Sequence, residues 1–211
     1  MIGRVDEFVL LDDVQYTRRD WRNRNLIKTP SGLKWLTVPV QTRGKYHQTI
    51  RDTMVDGNDW PRQHWRTLCH AYARAPHFPA YQDAIRQLYD MAMALSHLSD
   101  VNLLFLKTIC SLLDITTPLR RSDDFDARAD KNLRLLDICR QSGATHYLSG
   151  PSAASYLDKP RFDDAGIDVT YMDYDSYIEY PQLHPPFEGR VSILDLLFNT
   201  GAAARRYLAG S

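Results

Sequence analysis

The apolar positions of this chain change period several times, and each change predicts an element. Phe8-Val-Leu-Leu11 is a short apolar run that stops at Asp12 and Asp13, which predicts a buried strand with two carboxylates at its C-terminal end. Leu26-Ile-Lys-Thr29 and Leu33-Lys-Trp-Leu-Thr-Val-Pro-Val40 flank Pro30-Ser31-Gly32, the composition of a β-hairpin. Both faces of the second run carry apolar groups, and Pro39, without an amide hydrogen, belongs at an edge or a strand end. Thr49 to Val55 reads as a further strand.

From residue 58 the spacing becomes helical. Asp59 and Pro61 open a helix with Trp65, Leu68, Cys69 and Tyr72 inward. Pro76 and Pro79 break the chain before a second helix carrying Tyr81, Ile85, Leu88 and Ala92. Ser99 or Asp100 caps a third, with Leu103, Leu106, Cys110 and Leu113 inward. With no strand between them, these helices make residues 58–114 an inserted helical block.

Strand and helix then alternate. A short strand within Thr116–Arg121 precedes a helix from about Asp130 to Gly143, and Tyr147-Leu148 closes another strand before Ser149-Gly150-Pro151-Ser152 turns into a helix. Ile167 to Thr170 alternates as a strand, and the Pro- and Tyr-rich stretch from 174 to 187 must wrap over something rather than form regular helix. Ser192-Ile-Leu-Asp195 has the spacing of a capping box, and Gly201 ends the helix that follows. The expected fold is therefore α/β: a mostly parallel, Rossmann-like sheet with a β-hairpin excursion and the helical block inserted.

Length and charge narrow the setting. At 211 residues the chain is one domain, 1–211, and its 26 basic residues equal its 26 acidic ones. Without a net cationic field, nucleic acid is disfavoured as a partner. The N-terminus lacks a signal-peptide layout and no apolar run could span a bilayer, so a cytoplasmic protein with no membrane partner is expected. Cys69, Cys110 and Cys139 lie far apart among apolar helical residues and read as reduced core thiols. The seven histidines form no His-x-x-x-His pair, and no metal site is assigned.

Candidate chemistry gathers at two places. The C-terminal edge of a parallel strand is where ligands bind in α/β sheets, which makes Asp12 and Asp13 the candidate catalytic residues. The polar run behind them offers Gln15, Tyr16, Trp21, Arg22, Asn23 and Arg24 as substrate-binding groups: the guanidinium forks suit phosphate, and Trp21 or Tyr16 suits stacking on a base or sugar ring. The competing structural reading is that Arg22 or Arg24 pairs with the two carboxylates and braces a loop. At the second place, Ser149, Gly150 and Ser152 form a turn whose helix amides can bind an anion, with Ser149 or Ser152 as cap.

Taken together, Asp6-Glu-Phe-Val-Leu-Leu-Asp-Asp-Val-Gln-Tyr16, Trp21-Arg-Asn-Arg-Asn-Leu-Ile-Lys-Thr-Pro-Ser-Gly32 with Trp35-Leu-Thr-Val-Pro-Val40, Tyr147-Leu-Ser-Gly-Pro-Ser-Ala153 and Ser192-Ile-Leu-Asp-Leu-Leu-Phe-Asn-Thr-Gly201 resemble the WbqC-like family. The resemblance implies a link with bacterial surface polysaccharide and O-antigen gene clusters, and a layout similar to nucleotidyltransferases of the HUP class. Family members usually begin with a strand and a Gln-Pro-x-x-x-Pro-type loop upstream of this segment. The resemblance therefore implies a late start at Met1, with the first strand missing.

The expected function is group transfer onto or from a nucleotide-activated sugar or similar small anionic metabolite, with magnesium as a companion of a nucleotide substrate. A carboxylate would serve as general base or hold that ion beside phosphates. The rivals are a non-catalytic sugar-nucleotide-binding or assembly factor and a truncated, inactive family member.

Overall fold

Short strands joined by longer helices carry the chain. The computed structural model describes residues 1–128, 130–174 and 177–208. In order, its elements are β1 (Phe8–Leu10), β2 (Arg24–Thr29), β3 (Gly32–Thr37), α1 (Trp60–Tyr72), α2 (Phe78–Ala92), α3 (Leu98–Leu112), β4 (Leu119–Arg121), α4 (Lys131–Gln141), β5 (His146–Ser149), α5 (Lys159–Asp163), β6 (Asp168–Tyr171), α6 (Ile193–Thr200) and α7 (Ala204–Leu208). They fall into two compact units, one of Met1–Asp13 with Ile115–Ser176 and one of Val14–Asp114 with Tyr177–Ser211.

In the first unit the strands pair in parallel: β1 with β4, Leu10 opposite Arg121, and β5 with β6, Ser149 opposite Tyr171. α4 connects the pairs. It starts where the Asp130 carboxylate accepts from the amides of Asn132 and Leu133, and stops at Gly143, whose φ of 64° suits a residue without Cβ. α4 runs back along β1: Ser142 Oγ donates to Glu7 at 2.8 Å at one end, and Arg134 lies 3.4 Å from Asp13 at the other. Leu136 and Cys139 of α4 pack with Leu157, Phe162, Ile167 and Val169 as the core of this unit. Burying these side chains is the main favourable term, of order 1.5–3 kcal/mol for each large apolar group.

The second unit is a hairpin against helices. β2 and β3 pair antiparallel from Arg24 opposite Thr37 to Thr29 opposite Gly32, as the turn composition predicts. The outer edge of β2 is occupied, since Ser192 N donates to Leu26 O and Lys28 N to Tyr72 Oη. Leu68, Tyr72, Ile85, Leu88, Leu98, Val101, Leu197 and Phe198 are fully buried. Phe198 meets Phe78 at 5.0 Å and Tyr72 at 5.1 Å between ring centroids, both within edge or tilted geometry.

Several expectations need correction. Among the described residues the strands form three two-stranded sheets, so the continuous Rossmann-like sheet is replaced by a mixed α/β arrangement of two parallel pairs and one antiparallel pair. β1 and β4 are only three residues each: β1 stops two residues before Asp12, and β4 runs into the 3-10 turn Ser122–Asp124. The strand expected over Thr49–Val55 is reduced to isolated bridges, Gln15 with Thr49 and Val40 with Val55. The helical block appears as α1 to α3, but the buried face of α1 is Trp60, Pro61, His64, Leu68, Ala71 and Tyr72. Trp60 enters the core at the first turn and rotates the face, leaving Trp65 and Cys69 at its margin. The three thiols are unpaired, and burial pushes that of Cys139 up to about 11, out of the reactive range.

Candidate functional site

Two strands that end in opposite charges build the candidate site. Beyond β1 come Asp12 and Asp13, and β4 ends in Arg121 followed by Ser122, so parallel pairing brings carboxylates beside a guanidinium and a hydroxyl. Asp12 is buried, 4 % exposed, with its Oδ2 3.5 Å from Arg121 Nη1. Asp13 keeps more of its surface, 23 % of the side chain, accepts from Ser122 Oγ at 2.8 Å and lies 3.4 Å from Arg134 Nη1. Two carboxylates and two guanidinia make a locally neutral cluster. Arg121, Ser122 and Arg134 escaped the sequence reading. The available signal was the polar run Arg120-Arg-Ser122 ending a strand as Asp12-Asp13 does.

The Ser149 to Ser152 turn lies in the same unit. In the first turn of α4, Asn132 Oδ1 accepts from Asp158 N at 3.0 Å, and Arg134 reaches Asp13. Pro151–Ser155 is a 3-10 helix rather than an α-helix, with Gly150 at its cap and no side-chain capping bond. Ser149 is buried at the end of β5 with its hydroxyl 3.4 Å from Tyr147 Oη, and Ser152 O accepts from Ser155 Oγ. The expected serine cap is therefore not made, because Ser149 is still strand. A Cβ built on Gly150 would meet open space.

The remaining predicted residues lie in the second unit. Gln15 donates to Tyr46 O at 2.7 Å and Asn23 to Val38 O at 2.9 Å, both bracing backbone. Tyr16 packs with Ile50 and Leu98, so it is a core ring rather than a stacking surface. Arg22 pairs with Asp20, and Arg24 donates to Arg19 O while its guanidinium lies 4.1 Å from the Trp35 ring centroid. The braces expected of Arg22 and Arg24 toward Asp12 and Asp13 are thus supplied by Arg121 and Arg134. Trp21 is 55 % exposed and Trp35 39 %, with ring centroids 5.0 Å apart. The loop Gly44–Gln48 lines an open cavity of about 670 Å³.

A second buried carboxylate was missed. Asp195, 1 % exposed, accepts from Tyr72 Oη at 2.7 Å, Tyr180 Oη at 2.9 Å and Gln182 Nε2 at 2.8 Å. It sits where a capping box would turn it back to the helix start; Ser192 Oγ caps Leu194 N, but the Asp195 side chain faces the tyrosines instead. Burial, then the neighbouring Asp195 charge, raises the pKa of both phenols, so each remains a donor. The buried Lys28 Nζ donates to Gln182 Oε1 at 2.8 Å and to Pro186 O. This network fastens the wrapping segment expected from its prolines, apart from residues 175 and 176, which lie outside the described residues.

The donor set bears on metal. Among the described residues no three His, Cys, Asp or Glu side chains gather as metal ligands. Asp12 and Asp13 already face arginines, so these residues do not fit a resident magnesium ion. Among the described residues, no helix is long and apolar enough to cross a membrane.

No solved structure matches the chain. It is similar to the "Uncharacterized protein Rv1507c" of Mycobacterium tuberculosis (strain ATCC 25618 / H37Rv), 50 % identical over 208 residues, covering 99 % of this chain and 90 % of that protein. The model of the WbqC-like protein family matches residues 1–207, and the chain belongs to that family.

Proposed function

We propose that this WbqC-like protein is a group-transfer enzyme acting on a nucleotide-activated sugar or a related small anionic metabolite in bacterial surface polysaccharide biosynthesis. The observation that carries the reading is the Asp12–Arg121 and Asp13–Arg134 cluster at the C-terminal ends of paired parallel strands. That edge is the ligand-binding edge of α/β folds, and the single parallel crossover β5–α5–β6 is the element of this unit that supports the reading.

Roles follow from exposure and partners. Asp13 is the accessible carboxylate and serves as general base toward an acceptor hydroxyl or amine, with Ser122 and Arg134 fixing its two oxygens. Asp12, almost wholly buried, is a positioning residue that holds Arg121. A guanidinium released from a carboxylate by an arriving phosphate would bind it bidentately. A non-catalytic binding module is the second reading, favoured by the fact that both carboxylates already have basic partners in the free protein.

Asp13→Asn separates the two. With a nucleotide-sugar panel and a mixed acceptor pool, the enzyme reading expects turnover to fall by about 10²–10⁴-fold with ligand affinity little changed. Binding by the wild type without turnover of any panel member would leave the module.

A further inference from the structure

We infer that the Trp21–Trp35 pair, with Arg24, is a stacking platform for the base of a nucleoside phosphate. The inference deepens the proposed function and rests on it for the nucleotide character of the ligand. Large aromatic side chains are seldom left open to water, yet these two indoles lie together with exposures of 55 % and 39 %.

The exposure is not looseness. The segment around Trp21 is held on both sides: its amide donates to Asp20 Oδ1 at 2.7 Å, Arg22 O accepts from Asn102 at 3.0 Å, and the buried Asn23 side chain donates to Val38 O. Trp35 is fixed by its place in β3, opposite Leu26. A rigid backbone that presents only an indole has already lost the entropy that ligand binding would otherwise cost. At a 5.0 Å separation and 55° tilt the two indoles brace one another, and a planar ring can stack on the exposed surface of Trp21, the more open of the two.

Charge selects the kind of ring. Residues 14–25 contain Arg18, Arg19, Arg22 and Arg24 against the single acid Asp20. Asp20 offsets Arg22, and Arg24 puts a cation against the indole pair, its guanidinium 4.1 Å from the Trp35 ring centroid and its buried Nε without a hydrogen-bond acceptor. A neutral sugar gains nothing from such a field, whereas a base with phosphates attached uses both parts.

The test uses the full chain with UDP, GDP, their nucleosides and inorganic pyrophosphate, read by calorimetry and tryptophan emission. Expected are binding of a nucleoside diphosphate with quenched emission, and affinity weakened roughly tenfold or more by Trp21→Ala or Trp35→Ala. Arg24→Gln should weaken the diphosphate more than the nucleoside. If diphosphates bind the wild type and both Trp variants equally, the platform is overturned while the nucleotide-substrate reading stands. If pyrophosphate binds as well as UDP and GDP, base stacking is overturned. Binding that depends on the indoles, in a protein whose Asp13→Asn form matches the wild type in every transfer assay, would keep the platform and overturn the enzyme reading.

Discussion

The two units bury carboxylates by opposite means. Among the described residues, the donors to the Asp195 carboxylate are neutral: two tyrosines, a glutamine and Asn199. Asp12 and Asp13 instead face Arg121 and Arg134, and Asp13 keeps nearly a quarter of its surface open. Neutral donors hold a charge in place without offering anything to exchange. Arginine partners can be traded for a ligand's phosphate, because the guanidinium accepts either anion with the same fork. The first arrangement therefore reads as fastening and the second as a place where something binds.

The largest effect that would break this contrast is on Asp195. Asp195→Ala leaves the hydroxyls of Tyr72 and Tyr180 without their carboxylate acceptor in a buried site, while Gln182 keeps Glu188 O, and should destabilise the fold by roughly 3–5 kcal/mol. Urea unfolding measures it. Asp13→Asn, on the more open cluster, should cost about 1 kcal/mol or less. Equal losses for the two substitutions would mean that both carboxylates are fasteners, and the assignment of Asp13 to chemistry would fall.

That contrast was half legible in the sequence. Asp12 and Asp13 announce themselves because an apolar run stops at them, a local pattern that needs no tertiary knowledge. Their arginine partners are more than 100 positions away, and only the parallel register of β1 on β4 places Arg121 beside Asp12. Asp195 was concealed by a local rule: three residues after Ser192 it has the spacing of a capping box, and the tertiary tyrosines outcompete the helix start for its oxygens. The hairpin and the helical block were readable from turn residues and period. The sheet layout was not, since three-residue strands carry too little pattern to fix their neighbours.

A smaller effect sharpens the picture of the fastened side, at the far end of α6. Gly201 has φ of 58°, and a Cβ there would lie 2.5 Å from His77 Nδ1. His77 is itself held, its amide donating to Phe198 O at 2.9 Å. Gly201→Ala should cost about 2–4 kcal/mol, part backbone strain and part overpacking. Adding His77→Ala should recover the overpacking share alone in a thermal-unfolding cycle. Complete recovery would show that the left-handed backbone contributes nothing.

A pH-dependent effect separates neutral from charged burial. His64 is buried beside Trp60, with ring centroids 5.1 Å apart, and its Nε2 is 3.0 Å from Thr37 O. Burial lowers its pKa from 6.5 to about 4, against the smaller opposing pull of the Thr37 carbonyl. The unfolded chain therefore binds this proton more readily than the folded one. The contribution is fully present above about pH 6.5 and is lost as pH falls toward 4, by about 2 kcal/mol between pH 7 and pH 5. His64→Gln retains a donor for Thr37 O and removes the titration, so its unfolding free energy should be flatter across that window. A wild type and a variant that lose stability in parallel from pH 7 to pH 5 would place the acid sensitivity elsewhere.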